Sequence, residues 1–188
     1  MTSIRELRDA LRSKTGTKVA SACKHVAEHP ELADELVPAF ARLTEQGAKR
    51  DPGCHGKLAI ARALHELERW EDEVFAAGVR LVQKQPGPCD AAGELRGVCG
   101  LAFAHFGRGD AVEVLAELLA DPERGARLGA ARALGDAGRF EAGALLRFKL
   151  LAGDEAPEVV TACLESLLHL DATAVELAIR LLPPHDDR

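Results

Sequence analysis

Residues 121–153 read DPERGARLGAARALGDAGRFEAGALLRFKLLAG, and the order of residue types in this stretch recurs along the chain. Its first residue belongs to a column of aspartates spaced by 39, 31 and 33 residues, namely Asp51, Asp90, Asp121 and Asp154. Six residues after these lie Lys57, Arg96, Arg127 and Val160, and thirteen residues after them lie Leu64, Phe103, Leu134 and Leu167. A period of roughly 30 to 40 residues with one internal order predicts an array of helical repeats.

Apolar residues within each copy are spaced as on one face of a helix. In the first complete copy they occupy the i, i+3, i+4 and i+7 positions of a stripe, as Ile60, Ala63, Leu64 and Leu67. The same positions in the next copies hold Cys99, Ala102, Phe103 and Phe106, then Ala130, Ala133, Leu134 and Ala137, then Cys163, Ser166, Leu167 and Leu170. We therefore expect each copy to begin with an amphipathic helix whose stripe is buried.

The residues that flank these stripes predict where the helices begin and end. Each column aspartate can cap a helix by accepting hydrogen bonds from the free amides of the first turn. Pro52 and Pro122 would then take the first helical position, where no amide hydrogen is needed. Gly107 and Gly138 are placed to end their helices, which is the usual C-terminal role of glycine.

A second, shorter helix is predicted after each first helix, at about 71–84, 110–120, 140–152 and 173–182. An earlier, degenerate copy places Cys23, Val26 and Ala27 on the stripe. Its second helix, about 31–46, is kinked or shortened at its start by Pro38. Stacked pairs share one core, because neither helix of a pair can bury its stripe alone. The prediction is one all-α domain over 1–188, with a capping helix at 1–13 and helix pairs at about 14–47, 51–84, 90–120, 121–153 and 154–183.

These copies resemble the HEAT repeat superfamily, especially its short bacterial form in phycobilisome lyases. That form has an Asp-Pro start, a basic residue six positions on, an Ala-rich first helix ending in Ala-Leu-Gly, and an apolar second helix. The closest matches are Asp121, Pro122, Arg127, Ala130, Ala131, Ala133, Leu134, Gly135 and Gly138. Val37-Pro38-Ala39 is similar to the proline-bearing start of a HEAT second helix, whereas Val160 departs from the basic column.

The resemblance covers about 14–182 and implies a right-handed α-solenoid of about five HEAT-like helix pairs. It leaves the activity open, because HEAT arrays serve as scaffolds, lyase subunits, inhibitors and occasionally enzymes. The resemblance also implies that the second helices line the concave side of such an array.

Composition limits the compartment and the class of partner. The 188 residues contain no window of 18 uninterrupted apolar residues, and Met1-Thr2-Ser3 leads into a charged helix. We expect neither a membrane span nor a signal peptide. Five cysteines, an odd number, favour a reducing compartment, and we expect the chain to be cytoplasmic in a bacterium.

The net charge of −6 is unevenly distributed. Residues 1–62 hold eleven basic and eight acidic side chains, whereas residues 63–188 hold thirteen basic and twenty-two acidic ones. The N-terminal basic residues are either a solvated face or a docking patch for an acidic partner, and they are Arg5, Arg8, Arg12, Lys14, Lys18 and Lys24. An acidic chain with one tryptophan and no tyrosine lacks the basic footprint of a nucleic-acid binder.

The cysteines and histidines give weak signals for chemistry. Cys23, Cys99 and Cys163 fall on the stripe and are expected in the core. Cys54 and Cys89 lie at a helix start and in the predicted 85–89 loop, so we expect exposed thiols whose redox or metal role stays open. His25 and His29 lie one turn apart, but no third ligand follows at a recognised interval, and we predict no metal and no cofactor.

The sequence lacks most of the residues that two enzyme classes built on HEAT repeats require. His65-Glu66 is similar to the metal-binding pairs of deoxyhypusine hydroxylase, which needs four such pairs, and this chain has one. Alkylpurine DNA glycosylases use an aromatic and acidic cleft within a basic surface. Trp70 is interpreted here as a packing residue, so stacking on a base has few candidates. No catalytic residue is predicted.

The remaining candidate is the surface of the second helices, where the resemblance places the concave side. Its non-stripe residues are Arg80, Glu113, Glu117, Arg147, Lys149, Glu176 and Arg180. Mixed charge on a rigid curved wall suits a protein or peptide partner better than a polyanion. The sequence favours a non-catalytic protein-binding scaffold that binds neither nucleic acid nor membranes. The alternatives are an accessory subunit of a bilin-lyase-type enzyme or a nucleic-acid-processing enzyme of the alkylpurine glycosylase type.

Overall fold

The computed structural model describes residues 3–84 and 90–181, and this part of the chain is helical. No strand is present in these ranges, where one isolated antiparallel bridge joins Lys84 to Asp90. The predicted all-α class is therefore confirmed for the described residues. The proposed 85–89 loop and Cys89 lie outside them.

The α-helices are numbered α1 to α11 in chain order. They are Ile4–Leu11, Gly16–Cys23, Leu36–Gln46, His55–Glu66, Asp72–Gly78, Gly93–His105, Ala111–Leu119, Arg124–Ala137, Phe140–Ala152, Pro157–Leu170 and Val175–Leu181. Short 3-10 turns occupy Pro30–Glu35, Gly47–Lys49 and Ala172–Ala174. The predicted capping helix corresponds to α1, where Ser3 and Glu6 bond each other's backbone amides in a capping box.

Helices that begin successive copies are in contact with one another. α2 packs against α4, α4 against α6, α6 against α8, and α8 against α10. The second helices α3, α5, α7 and α9 each pack against the first helix of the following copy. One cluster of buried apolar residues extends through these contacts from Leu7 to Leu177.

The predicted stripes are buried. Ile60, Leu64, Cys99 and Leu134 are all fully inaccessible to solvent. The last residue of each stripe is half-buried, and these residues are Leu67, Phe106, Ala137 and Leu170. In the degenerate copy Cys23 and Val26 are buried, but Ala27 is exposed because α2 ends at Cys23. Assigning Ala27 to the stripe was wrong.

The starts of the first helices differ from the prediction. The carboxylates of Asp90, Asp121 and Asp154 each accept a hydrogen bond from the amide two residues later, at 2.9, 2.7 and 2.8 Å. This bond forms a turn that precedes the helix, so the helix begins three residues after the aspartate. Pro52 and Pro122 lie in the same pre-helical segment, and placing them at the first helical position was wrong.

Glycine ends two first helices as predicted, but one second helix is shorter than predicted. Gly107 and Gly138 have φ of +61°, the left-handed conformation that favours glycine after a helix. α5 ends at Gly78 rather than near residue 84. Beyond α5 the backbone bonds side chains in place of helical partners. Arg96 donates to the Leu81 carbonyl, and the Asp90 carboxylate accepts from the Gln83 amide.

Glycine also sets the distance between α6 and α8. A Cβ atom on Gly129 would lie 2.4 Å from the Cα of Gly97, and one on Gly97 would lie 2.5 Å from the carbonyl oxygen of Gly125. Both clashes are with backbone, which cannot move aside as a flexible side chain can. The two helices therefore approach more closely than any larger residue at these positions would allow.

Candidate functional site

Two arginines of the repeated column link neighbouring copies through buried ion pairs. Arg96 donates to Asp121 of the next copy at 2.7 and 2.8 Å, and it also bonds Asp90 of its own copy. Arg127 donates in the same way to Asp154 at 2.7 and 3.0 Å. We call these pairs the aspartate ladder. Both arginines therefore link one copy to the next.

Lys57 takes the corresponding position in the first complete copy but pairs within that copy. Its Nζ lies 3.0 Å from Oδ2 of Asp51. The link to the next copy runs instead through Gln83 of the same copy. Its side-chain amide donates to the Asp51 carbonyl at 2.7 Å, and its backbone amide donates to the Asp90 carboxylate of the next copy at 2.7 Å. The carboxylates and cations of the ladder pair with one another and bond the backbone. Their role is therefore structural, and their charges are not available to a ligand.

Hydrogen bonding keeps the ladder carboxylates ionised. Burial by itself would raise the pKa of Asp154, but hydrogen bonds from Arg127, Lys149 and the Ala156 amide outweigh it and lower the pKa to about 2. Burial opposes the shift at Asp90 as well, where bonds from the backbone and from Arg96 lower the pKa.

The seven residues predicted for a binding surface fall into two groups. Five are exposed, and they are Arg80, Glu113, Glu117, Glu176 and Arg180. Arg80 lies just beyond the end of α5 rather than on it. The other two lie on α9 in ion pairs within the chain: Arg147 bonds Asp171 at 2.6 Å, and Lys149 lies 2.8 Å from the ladder carboxylate of Asp154. Lys149 is therefore part of the ladder.

An exposed apolar row on α9 was missed by the sequence reasoning. Phe140, Phe148 and Leu151 are 93%, 69% and 70% exposed, and Ala144 is exposed between them. We call these four residues the α9 stripe. The opposite face of the same helix is buried in the core through Ala142, Leu146 and Leu150. α9 is therefore apolar on both faces, a pattern typical of a helix that is buried all round.

Charges around the α9 stripe are compensated within the chain. Arg139 lies 3.8 Å from Glu141, and the only other charged residues on the helix, Arg147 and Lys149, form the pairs given above. Beside the stripe, a hollow of about 270 Å³ lies between α9 and α10, with Gly143, Ala144 and Leu167 in its wall. The surface is thus apolar, close to neutral and indented.

A groove of about 390 Å³ follows α4, α6 and α8. Its apolar floor includes Val98, Leu101 and Leu128, and its rim carries three exposed arginines, Arg62, Arg124 and Arg132. Arg62 lies 3.6 Å from Glu94, and Arg124 bonds Glu158. Two of the three cations are therefore neutralised by nearby carboxylates, which weakens any attraction for an anionic ligand.

The cysteine expectations are confirmed at three positions and wrong at a fourth. Cys23, Cys99 and Cys163 are buried as predicted. Cys54 is also buried, at 1% exposure, because it occupies the left-handed N-cap of α4 and lies in the core. Desolvation outweighs the nearby Lys57 charge and raises the pKa of the Cys54 thiol to about 12. The expected exposure of the Cys54 thiol is therefore wrong.

The histidine and aromatic expectations have mixed outcomes. His25 and His29 lie after the end of α2, not one turn apart on a helix. Nowhere in 3–84 or 90–181 do three or more His, Cys, Asp or Glu side chains group so as to hold a metal ion. Trp70 packs against Phe75 and Phe103 with ring centroids 5.1 Å apart, which confirms its interpretation as a packing residue.

Comparisons with protein-family models, curated proteins and solved structures found no match to this chain. Among the helices described, none is both long and apolar enough to cross a membrane. The α9 stripe is the feature of the described surface that departs most from an ordinary solvated face, because large apolar side chains are contiguous there.

Proposed function

We propose that this chain is a non-catalytic protein-binding module, built as a right-handed solenoid of HEAT-like helix pairs and binding through its second helices. The regular contacts between successive first helices and the aspartate ladder support the stacked architecture. A stack of this kind presents rigid surfaces whose side chains are free to vary, which suits recognition of another protein.

The observation that carries the proposal is the α9 stripe. Exposed Phe140, Phe148 and Leu151 lie on one side of a helix whose other side is already buried. Contiguous apolar surface of this kind on a folded chain marks an interaction site. Aromatic side chains also supply much of the energy in protein interfaces, because they bury large areas with little loss of rotamer entropy.

Affinity capture from an extract of the native host tests the proposal. The bait is the wild-type chain or Phe148→Asp, with Val82→Asp as the matched control, because Val82 is 63% exposed and lies outside α9. We expect at least one protein to be enriched by the wild type and by Val82→Asp but lost with Phe148→Asp. Circular dichroism and thermal melting check that all three baits are folded. The same proteins captured by all three baits would contradict the proposal.

A further inference from the structure

We infer that the α9 stripe binds a second copy of this chain, with the two α9 helices antiparallel across a two-fold axis at Ala144. The inference rests on the proposed function, since both assign protein binding to this stripe. It goes further by naming the occupant and the geometry.

The first reason is the symmetry of the stripe. Phe140 lies four residues before Ala144 and Phe148 lies four residues after it. With a rise of about 1.5 Å per residue, the two rings are about 6 Å on either side of the alanine along the helix. A two-fold axis through Ala144 brings Phe140 of each copy onto Phe148 of the other. Such an interface is isologous, with the same patch used by both copies.

The second reason is the small residues halfway along the stripe, where Ala144 lies on the stripe and Gly143 lies beside it, about 100° around the helix. Gly143 precedes Ala144 in the middle of α9, and a Cβ atom built on Gly143 meets nothing within 4 Å. Glycine inside a helix is less stable than alanine there, so a mid-helix glycine usually has a packing reason. Gly97 and Gly129 have one within the chain, because α6 and α8 meet at them. No atom of the described chain supplies one for Gly143, whereas a second α9 crossing at Ala144 would pass beside it.

The third reason is charge. The charged side chains on and next to α9 are Arg139, Glu141, Arg147 and Lys149, and each has an opposite charge within 3.8 Å or less. Two identical faces normally bring like charges together, which opposes self-association. Here that repulsion is reduced by the internal pairs, and the face offers no net charge that would select an acidic or a basic partner.

The fourth reason concerns area and sets the expected strength. A fully buried phenylalanine removes about 150–250 Å² from water, so the exposed parts of Phe140, Phe148 and Leu151 amount to roughly 400–500 Å² per copy. Two copies then bury on the order of 900 Å², below the usual range for stable complexes but enough for a weak, reversible one. We therefore expect a dimer that dissociates on dilution.

Sedimentation equilibrium of the purified chain from about 1 µM to about 500 µM tests the inference. The wild type and Val82→Asp should shift from monomer to dimer, and Phe148→Asp should raise the dimer dissociation constant at least tenfold. Ala144→Arg, which brings two like charges together at the two-fold axis, should weaken the dimer while the monomer stays folded, because Ala144 is exposed. A wild type that stays monomeric throughout, or a dimer unaffected by Phe148→Asp, would overturn the inference.

A cysteine scan fixes the geometry. In a Cys89→Ser background, Ala144→Cys should form a disulfide-linked dimer on mild oxidation, whereas Glu113→Cys on the exposed side of α7 should not.

In host extract, the native copy of this chain should be the protein whose capture depends on Phe148. If capture depends on Phe148 but the protein captured is a different one and the chain alone is monomeric, the inference fails and the proposed function stands. If capture does not depend on Phe148 at all, the proposed function fails.

Discussion

The Lys57 ammonium lies 3.0 Å from the Asp51 carboxylate, and both side chains are almost completely buried. The same carboxylate accepts hydrogen bonds from the amides of Gly56 and Lys57, at 3.0 and 3.1 Å. Asp51 thus accepts hydrogen bonds from the free amides of the first turn of α4 and also neutralises a buried cation. Two charges can remain in the interior here because each is compensated by the other and by the backbone.

Lys57→Ala should lower the free energy of unfolding by about 3–5 kcal/mol, because it leaves the Asp51 carboxylate buried and without its cation. Urea denaturation monitored by circular dichroism measures the change. The control is Arg62→Ala at the exposed pair with Glu94, where a loss of about 0–1 kcal/mol is expected. Equal effects of the two substitutions would contradict the burial of the Lys57–Asp51 pair. Lys57→Met, which removes the charge but keeps most of the volume, separates lost packing from the unpaired carboxylate.

The repeated column shows how far sequence reasoning reaches. The period and the stripe placed Ile60 and Leu134 in the core correctly, because burial follows directly from apolar spacing. The helix starts were wrong by a few residues, because an aspartate can bond the amide two residues later as well as a helical amide. The sequence pattern alone does not show whether such a carboxylate caps the helix or closes a turn before it.

Cys54 and the α9 stripe were missed for different reasons. Cys54 was expected to be exposed because it precedes a helix, but it has a left-handed backbone at the N-cap of α4 and is buried, and the sequence pattern indicates neither. For α9 a signal was present. Phe140, Ala144 and Phe148 repeat every four residues on the side opposite Ala142 and Leu146, but the predicted binding surface consisted only of charged residues of the second helices.

Alanine substitution of two helical glycines should have opposite effects on stability. Gly129→Ala should destabilise the fold by about 1–3 kcal/mol, because its Cβ atom would lie 2.4 Å from the Cα of Gly97. Gly143→Ala should stabilise the monomer by about 0.5–1 kcal/mol, because the position is helical and open. Thermal and urea unfolding at low concentration, where the monomer dominates, give both values. Stabilisation by Gly129→Ala would contradict the close contact of α6 with α8.

Thiol labelling should separate Cys89 from the other cysteines. Burial raises the pKa of Cys23 and Cys54 to about 12 and that of Cys163 to about 11, so near pH 8 almost no thiolate is present at these positions. We expect one fast-reacting thiol in the native wild type, none in Cys89→Ser, and all of them in denaturant. A fast thiol remaining in Cys89→Ser that disappears in Cys54→Ser would contradict the burial of Cys54.

The acid stability of the fold should depend on Asp154. Its pKa is lowered from 3.8 to about 2, so its stabilising effect is complete above about pH 5 and is lost as the pH falls through about 2. The shift corresponds to about 2 kcal/mol. Asp154→Asn should remove that part of the acid dependence and lower stability at pH 7, and Asp136→Asn on the exposed side of α8 is the control for loss of a surface carboxylate. The free energy of unfolding of both variants, measured from pH 2 to pH 7, shows whether Asp154 causes this acid dependence.

The purified chain should show no detectable affinity for duplex or single-stranded DNA near physiological salt. Non-specific affinity for DNA comes mainly from counterions that a basic surface releases from the phosphates. Here the net charge is −6, and the buried arginines of the ladder are held by carboxylates. Trp70, the one tryptophan, is half-buried among phenylalanines and cannot serve as a free stacking platform for a base.

Fluorescence anisotropy with labelled oligonucleotides at low and physiological salt measures this directly. Triple charge reversal at Arg5, Arg8 and Arg12 is the informative variant, because these residues belong to the basic end of the chain. Any weak binding at low salt should disappear in that variant and remain in Phe148→Asp. The nucleic-acid enzyme alternative would be favoured by tight DNA binding at physiological salt that persists after the triple charge reversal. Such binding would require a second cationic surface, which the compensated arginines do not provide.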